Sequence, residues 1–288
     1  MRRALAGFVL AALAAATAWV GAQGPVRPPH VVFVTGDDEY RSEITMPMIA
    51  AILERSHGLR TSVAYAKPTP QSKEHIEGLV ALDTADLMVI FTRFRKLPDP
   101  ELSRIQAYVD SGKPIVGFRT STHAFLYPEG NPHFDLNDGF GLEIFGAKWI
   151  THHGHTSTTT VAIRTANASH PILRGVTPFP AKSWLYHVMP INGPATILLD
   201  GTSVNSELKD KPQYPPVQPV AWTREHKGGR VFFTTLGHPG DFEQASMRRL
   251  VVNGILWALG REVPAGGADA TPVEPFVAPE SFDLSKVR

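Results

Sequence analysis

The chain has 288 residues, 43% hydrophobic and 19% charged, enough to build the core of one large domain. It contains no cysteine, which excludes disulfides, thiolate metal sites, a lipid-modified cysteine and any thiol nucleophile. Its 28 basic and 27 acidic residues nearly balance, and losing Arg2 and Arg3 with a leader takes the basic count to 26 and the formal charge to −1, which argues against a nucleic-acid partner.

Arg2 and Arg3 precede the uncharged apolar run 4–20, the n-region and h-region of a secretory signal. Small residues Gly21 and Ala22 place the expected cut after Ala22. A membrane anchor is the alternative, but seventeen Ala-rich residues are short for a span. The mature protein is therefore expected to be periplasmic or secreted, with no stable membrane span after cleavage. Residues 23–29 form a Pro-rich lead.

Residues 30–36 read as a first strand that ends in an acidic loop carrying Asp37 and Glu39. Thr45 is expected to cap a helix with Pro47 in its first turn, Met48, Ile49, Ile52 and Leu53 on its apolar face, and Gly58 as its stop. Strands follow at 59–66 and 86–92, the latter ending at Arg93 and Arg95. Asp99 and Pro100 open a second helix with Leu102, Ile105, Tyr108 and Val109 on one face, stopped near Gly112.

Residues 114–125 organise the whole pattern. Pro114 can begin a strand, Ile115, Val116 and Phe118 give it buried character, and Gly117 permits close approach. Arg119, Thr120, Ser121 and His123 then lie just beyond its carboxyl end. This β-α-β-α-β order with near-continuous apolar strands predicts an α/β fold: a mostly parallel sheet with helices on both faces and right-handed crossovers. Ligands collect at the carboxyl edge of such sheets.

Further on, residues 157–164 alternate like a half-exposed strand, 195–200 read as a short strand, and 205–219 as a long polar loop. Residues 219–224 and 229–236 form a predicted hairpin, followed by a last helix over 244–259 with Leu250, Val251, Gly254, Ile255, Ala258 and Leu259 on one stripe and Gly260 as its stop. Residues 265–288 carry Pro272, Pro275 and Pro279 and are expected to wrap the surface or be partly disordered.

Four loops should meet at one sheet edge, bringing together Asp37, Glu39, Arg93, Arg119, Thr120, Ser121, His123 and His238. Carboxylates, guanidinium groups and imidazoles in one cleft shift each other's pKa values and suit proton transfer, although an ion-pair network would use the same residues. Ser121 lacks the second glycine of a nucleophile elbow, so it reads as a cap or hydrogen-bond donor. In the dense cluster of residues 152–155, extended backbone would put His153 and His155 on one face and His152 on the other. That spacing admits a divalent metal, substrate hydrogen bonding or a purely structural cluster, and no acidic third ligand lies beside it. No cofactor is required by any motif.

The chain resembles the ThuA-like (trehalose utilisation) family over residues 30–264. The resemblance rests on Gly237-His238-Pro239 followed by residues 249–261, with support from Val116-Gly117-Phe118, residues 145–148, residues 170–175, and Leu185-Tyr186 before residues 196–200. It implies a flavodoxin-like sheet of the class I glutamine amidotransferase-like type, with a C-terminal β-hairpin and helix, and an association with sugars, including oxidised (keto) sugars. It does not imply amidotransfer, whose elbow cysteine is missing. Arg119 stands where the family usually has histidine, and Ser183-Trp184 where it often has Asp-Glu.

The family's site pattern carries over to His238 and His153. Taken with the leader and with the imidazole and guanidinium groups at converging strand ends, the expectation is an exported carbohydrate-active protein working by acid/base chemistry, with His238 and His123 moving protons and Arg119 orienting polar groups. Asp37, Glu39, Arg93, Thr120, Ser121, His153, Trp184 and Tyr186 would contact a small-molecule or oligosaccharide substrate, Trp184 offering a stacking face. A non-catalytic carbohydrate-binding domain and a metal-assisted hydrolase using the cluster at residues 152–155 are the alternatives. A homodimer is compatible with all three.

Overall fold

A computed structural model describes residues 27–282. The expected leader over residues 1–22 lies outside the described residues, as does the end of the tail. Among the described residues, no helix is long and apolar enough to cross a membrane.

The chain opens with β1 (His30–Gly36), α1 (Ser42–His57), β2 (Arg60–Ala66) and the short β3 (Ile76–Glu77). Next come β4 (Leu87–Thr92), α2 (Asp99–Asp110) and β5 (Ile115–Phe118). The middle of the chain holds α3 (Leu136–Phe140), β6 (Thr151–His152), β7 (Thr158–Ile163), β8 (Phe179–Ala181) and β9 (Tyr186–His187). It finishes with β10 (Thr196–Val204), β11 (Val217–His226), β12 (Gly229–Thr234) and α4 (Ala245–Ala258).

Ten strands form one sheet in the order β3-β2-β1-β4-β5-β12-β11-β10-β7-β8. The consecutive strands from β2 to β12 in that order run parallel, as the apolar runs predict. The expected hairpin joins β11 to β12 through Lys227 and Gly228, both at positive φ, and it carries the sheet on into an antiparallel extension. Thus the α/β fold has a mostly parallel core strengthened at one side by antiparallel strands.

Both faces of the sheet are covered. On one, α1 and α4 bury Ile49, Leu53, Leu250, Val251 and Ile255 against Val116, Phe118 and Phe232. On the other, Leu102 and Ile105 of α2 join Met88, Ile115, Phe145, Trp222 and Phe233. Burying each such side chain contributes roughly 1.5–3 kcal/mol, so α2's stripe alone explains why that helix docks. The close approach at Gly117 is real, but its partner is a ring: a Cβ there would lie 2.4 Å from Phe145 and 2.8 Å from Phe233.

The start of α1 differs from expectation. The helix begins at Ser42 rather than after Thr45, because the Asp37 carboxylate reaches forward to accept the backbone N–H groups of Glu39 (2.8 Å), Tyr40 and Ser42 (2.7 Å). A single buried acid caps the turn, and Pro47 falls inside the helix. β10 also runs four residues past its expected end, since β7 and β11 supply partners on both edges.

Candidate functional site

Because β1, β4, β5 and β12 are parallel, their carboxyl ends deliver four loops to one edge of the sheet. A cleft of about 510 Å³ opens there, within the range of small-molecule sites. Glu39, Arg93, His123, Trp184 and Tyr186 line it as expected; Tyr40, Trp149, His152, His155, Ser281 and Phe282 line it as well.

Two imidazoles are held in one tautomer. His152 Nδ1 lies 2.7 Å from the His153 carbonyl, which can only accept, so Nδ1 carries the proton. Thr122 Oγ1 donates its hydrogen to the Arg119 carbonyl (3.1 Å) and therefore accepts from His123 Nδ1 (3.1 Å). Both rings are left with an unprotonated Nε2 that has no hydrogen-bond partner among the described residues. Burial lowers the pKa of His152 to about 4, the Arg119, His155 and Arg93 charges adding to the effect. Burial, then Arg93, Arg119 and His152, holds His123 well below the usual imidazole range.

A small pairing places these groups. β6 and β9 form a two-stranded antiparallel sheet in which His152 sits directly across from Tyr186, with ring centroids 6.1 Å apart. His155 stacks on Trp184 at 4.0 Å and 14°. His123 lies 5.1 Å from Trp149 and 6.2 Å from Tyr186. The lining is thus aromatic faces interleaved with imidazoles.

Arg119 stands behind this wall and does not line the cleft. It is fully buried, and its backbone is left-handed (φ 34°), a strained conformation for a side chain of its size. Its Nη1 donates to the carbonyls of Trp184 (3.1 Å) and Thr235 (2.9 Å), and Nη2 donates to Tyr40 Oη (3.2 Å). The guanidinium carbon sits 4.0 Å from the Tyr186 ring centre and 4.5 Å from that of Tyr40. Nε has no partner, and no carboxylate pairs with the group among the described residues. Burial pushes the Tyr186 phenol up to about 12 while the Arg119 charge pulls it back.

The remaining candidates divide. Arg93 bonds Asp38 (3.2 Å) and approaches Glu39 (3.5 Å), tying two loops together at the cleft rim. Asp37 is spent on capping α1. Ser121 Oγ donates to the Ile90 carbonyl (2.9 Å) and accepts from the Thr92 N–H (3.3 Å), which rivets the turn to β4 and leaves no free hydroxyl. Thr120 is buried without a partner for its hydroxyl and is not part of the lining. His238 caps the turn at Pro239–Glu243, its Nδ1 accepting from Gly240 (3.1 Å), and stands 6.2 Å from Tyr40 outside the lining.

His153 does not face the cleft. Its Nε2 donates to the Pro215 carbonyl (3.0 Å) and its Nδ1 accepts from Ser206 Oγ (2.7 Å), anchoring the long loop before β11. The expected pairing of His153 with His155 fails because extended structure ends at His152, so alternation does not continue through Gly154. His152 and His155 share the cleft instead. Among the described residues, no group of three or more His, Cys, Asp or Glu is arranged to hold a metal.

Tyr40 and Trp149 escaped the sequence reading although each adjoins a chosen motif. A second buried acid, Asp241, was also unforeseen as a hub: it accepts from the Lys182, Ser183 and Gly237 N–H groups and from Ser183 Oγ, fixing the chain that leads to Trp184.

Sheet order and a ligand-sized cleft at the carboxyl edge define an α/β protein with a flavodoxin-like sheet. The trehalose utilisation (ThuA) family model matches residues 30–258, and the chain belongs to that family. Among solved structures it is similar to a ThuA-like protein from Parabacteroides merdae, with a TM-score of 0.57 and 17% identity, covering 85% of this chain and 96% of that one. A ThuA-like protein from Bacteroides uniformis superposes with a TM-score of 0.56 and 16% identity over 82% of this chain and 93% of that one. At such identity the likeness speaks for the fold alone. No curated protein matches the chain.

Proposed function

We propose that the protein is an exported carbohydrate-active enzyme that moves a proton on a keto-sugar held in the aromatic cleft. The observation that carries this reading is the pair of unprotonated Nε2 atoms on His123 and His152 beside the Tyr186 phenol. Aromatic faces of Trp149 and Trp184 suit the C–H faces of a sugar ring. A neutral imidazole accepts the proton from the carbon next to the carbonyl, and Tyr186 donates a hydrogen bond to the carbonyl oxygen as negative charge develops there. Arg119 acts from behind as a positioning residue, its uncompensated charge favouring charge build-up at Tyr186.

A panel of glucosides and their keto derivatives in deuterated water, followed by proton NMR, tests the proposal. Wild-type protein should exchange the hydrogen next to the carbonyl, and His152→Gln or His123→Gln should slow this by roughly 10²-fold or more. Wild-type rates in both variants would sink the assignment. The depressed pKa values of both histidines favour a second reading, a binding domain without turnover, because they take the imidazoles away from the range matched to neutral-pH proton transfer. Calorimetric binding of a sugar with neither exchange nor product would establish it.

A further inference from the structure

The family model ends at residue 258, yet the cleft does not. Residues 265–282 leave the end of α4, cross α1 and return to the carboxyl edge of the sheet. Pro272, Pro275 and Pro279 cannot donate, and an extended segment without a strand partner offers bare carbonyls. The body of the protein meets them with arginines: Arg249 Nε donates to Ala268 (3.2 Å), Arg248 Nε to Ala270 (3.0 Å), Arg55 Nη1 to Pro272 (3.2 Å) and Arg41 Nη1 to Glu280 (3.2 Å). Buried Asn253 accepts the Ala268 N–H (2.9 Å) and Glu243 accepts that of Ala278 (3.1 Å).

The segment's last described residue is held most specifically. Phe282 N–H donates to the Glu39 carbonyl (2.8 Å), and the Arg41 guanidinium lies 4.4 Å over the Phe282 ring. Ser281 and Phe282 then line the same cleft as Trp184 and His152. We propose that this segment is a strap that completes the binding site, with Phe282 a ligand-contacting wall that selects the sugar and Arg41 its positioning residue. The ligand class rests on the carbohydrate reading above; the wall itself does not. Sequence beyond the end of the family match thereby sets which ring the cleft accepts.

Full-length Phe282→Ala and Phe282→Tyr proteins test this, with melting temperature as the control for folding. Diethyl pyrocarbonate labelling of His152 and His155, read by peptide mass spectrometry, should be several-fold faster in Phe282→Ala and near wild type in Phe282→Tyr. Equal rates in all three proteins would overturn the wall. Calorimetry with glucose, trehalose and their keto derivatives should show about three- to ten-fold weaker binding in Phe282→Ala and recovery in Phe282→Tyr. Unchanged affinity for a sugar that binds wild type would overturn the selecting role. If no sugar of the panel binds wild type, the carbohydrate reading fails, and the labelling still decides whether Phe282 closes the cleft.

Discussion

Arg119 shows how opposed terms meet in one residue. Burying a cation without a carboxylate costs several kcal/mol, while each hydrogen bond to its charged fork returns about 1.5–3 kcal/mol. Three such bonds and two aromatic faces roughly offset the burial. Arg119→Met should therefore change folding stability by less than about 2 kcal/mol, by denaturant titration, yet slow deuterium exchange in a keto-sugar at least tenfold. A loss of stability well beyond that with normal exchange would make the residue a purely structural post. His152 makes a pH prediction. Its folded pKa of about 4 lies below the unfolded 6.5, so the unfolded chain binds more protons between these values. Stability is then fully present above pH 6.5 and is lost as pH falls toward 4. The melting-temperature difference between wild type and His152→Gln should be constant above pH 6.5, and as pH falls from 6.5 toward 4 wild type should lose ground to the variant, whose slope is shallower; parallel slopes would show that another group causes the loss.

Helix α4 carries an element-scale test that separates propensity from packing. Gly254 lies mid-helix, where Ala would ordinarily gain about 1 kcal/mol. A Cβ at this position would stand 2.3 Å from the Phe232 ring, so the helix could not keep its seat on the sheet. Gly254→Ala should destabilise the protein by roughly 1–3 kcal/mol, measured by urea unfolding; a gain would show that the ring moves aside freely. The stripe of Leu250, Val251 and Ile255 was legible from periodicity, and so was the stop at Gly260. The need for glycine at 254 was not, because it depends on which ring of β12 arrives opposite. The start of α1 follows the same logic, as Asp37 is a cap only once the acidic loop folds back on it.

At the scale of the whole molecule, export is the open physiological claim. Expression of the full chain in a Gram-negative host should yield periplasmic protein beginning at Gln23, by intact-mass measurement; cytoplasmic protein retaining residues 1–22 would refute the leader. The parallel order of strands, the edge where loops meet, the last hairpin and the family were all readable from the chain. Apolar runs, glycines and prolines act over a few residues, and the topology rules then leave little freedom. Which side chains form the cleft was decided by tertiary structure. His152 faces Tyr186 only because β6 pairs with β9 across a long gap in sequence, and Phe282 reaches the cleft only because Arg41 before α1, Arg55 within it and the arginines of α4 hold a proline-rich segment that pairs with no strand. Local pattern carries no information about such meetings: periodicity says which face is apolar, while the identity of the neighbour across it depends on the closed fold.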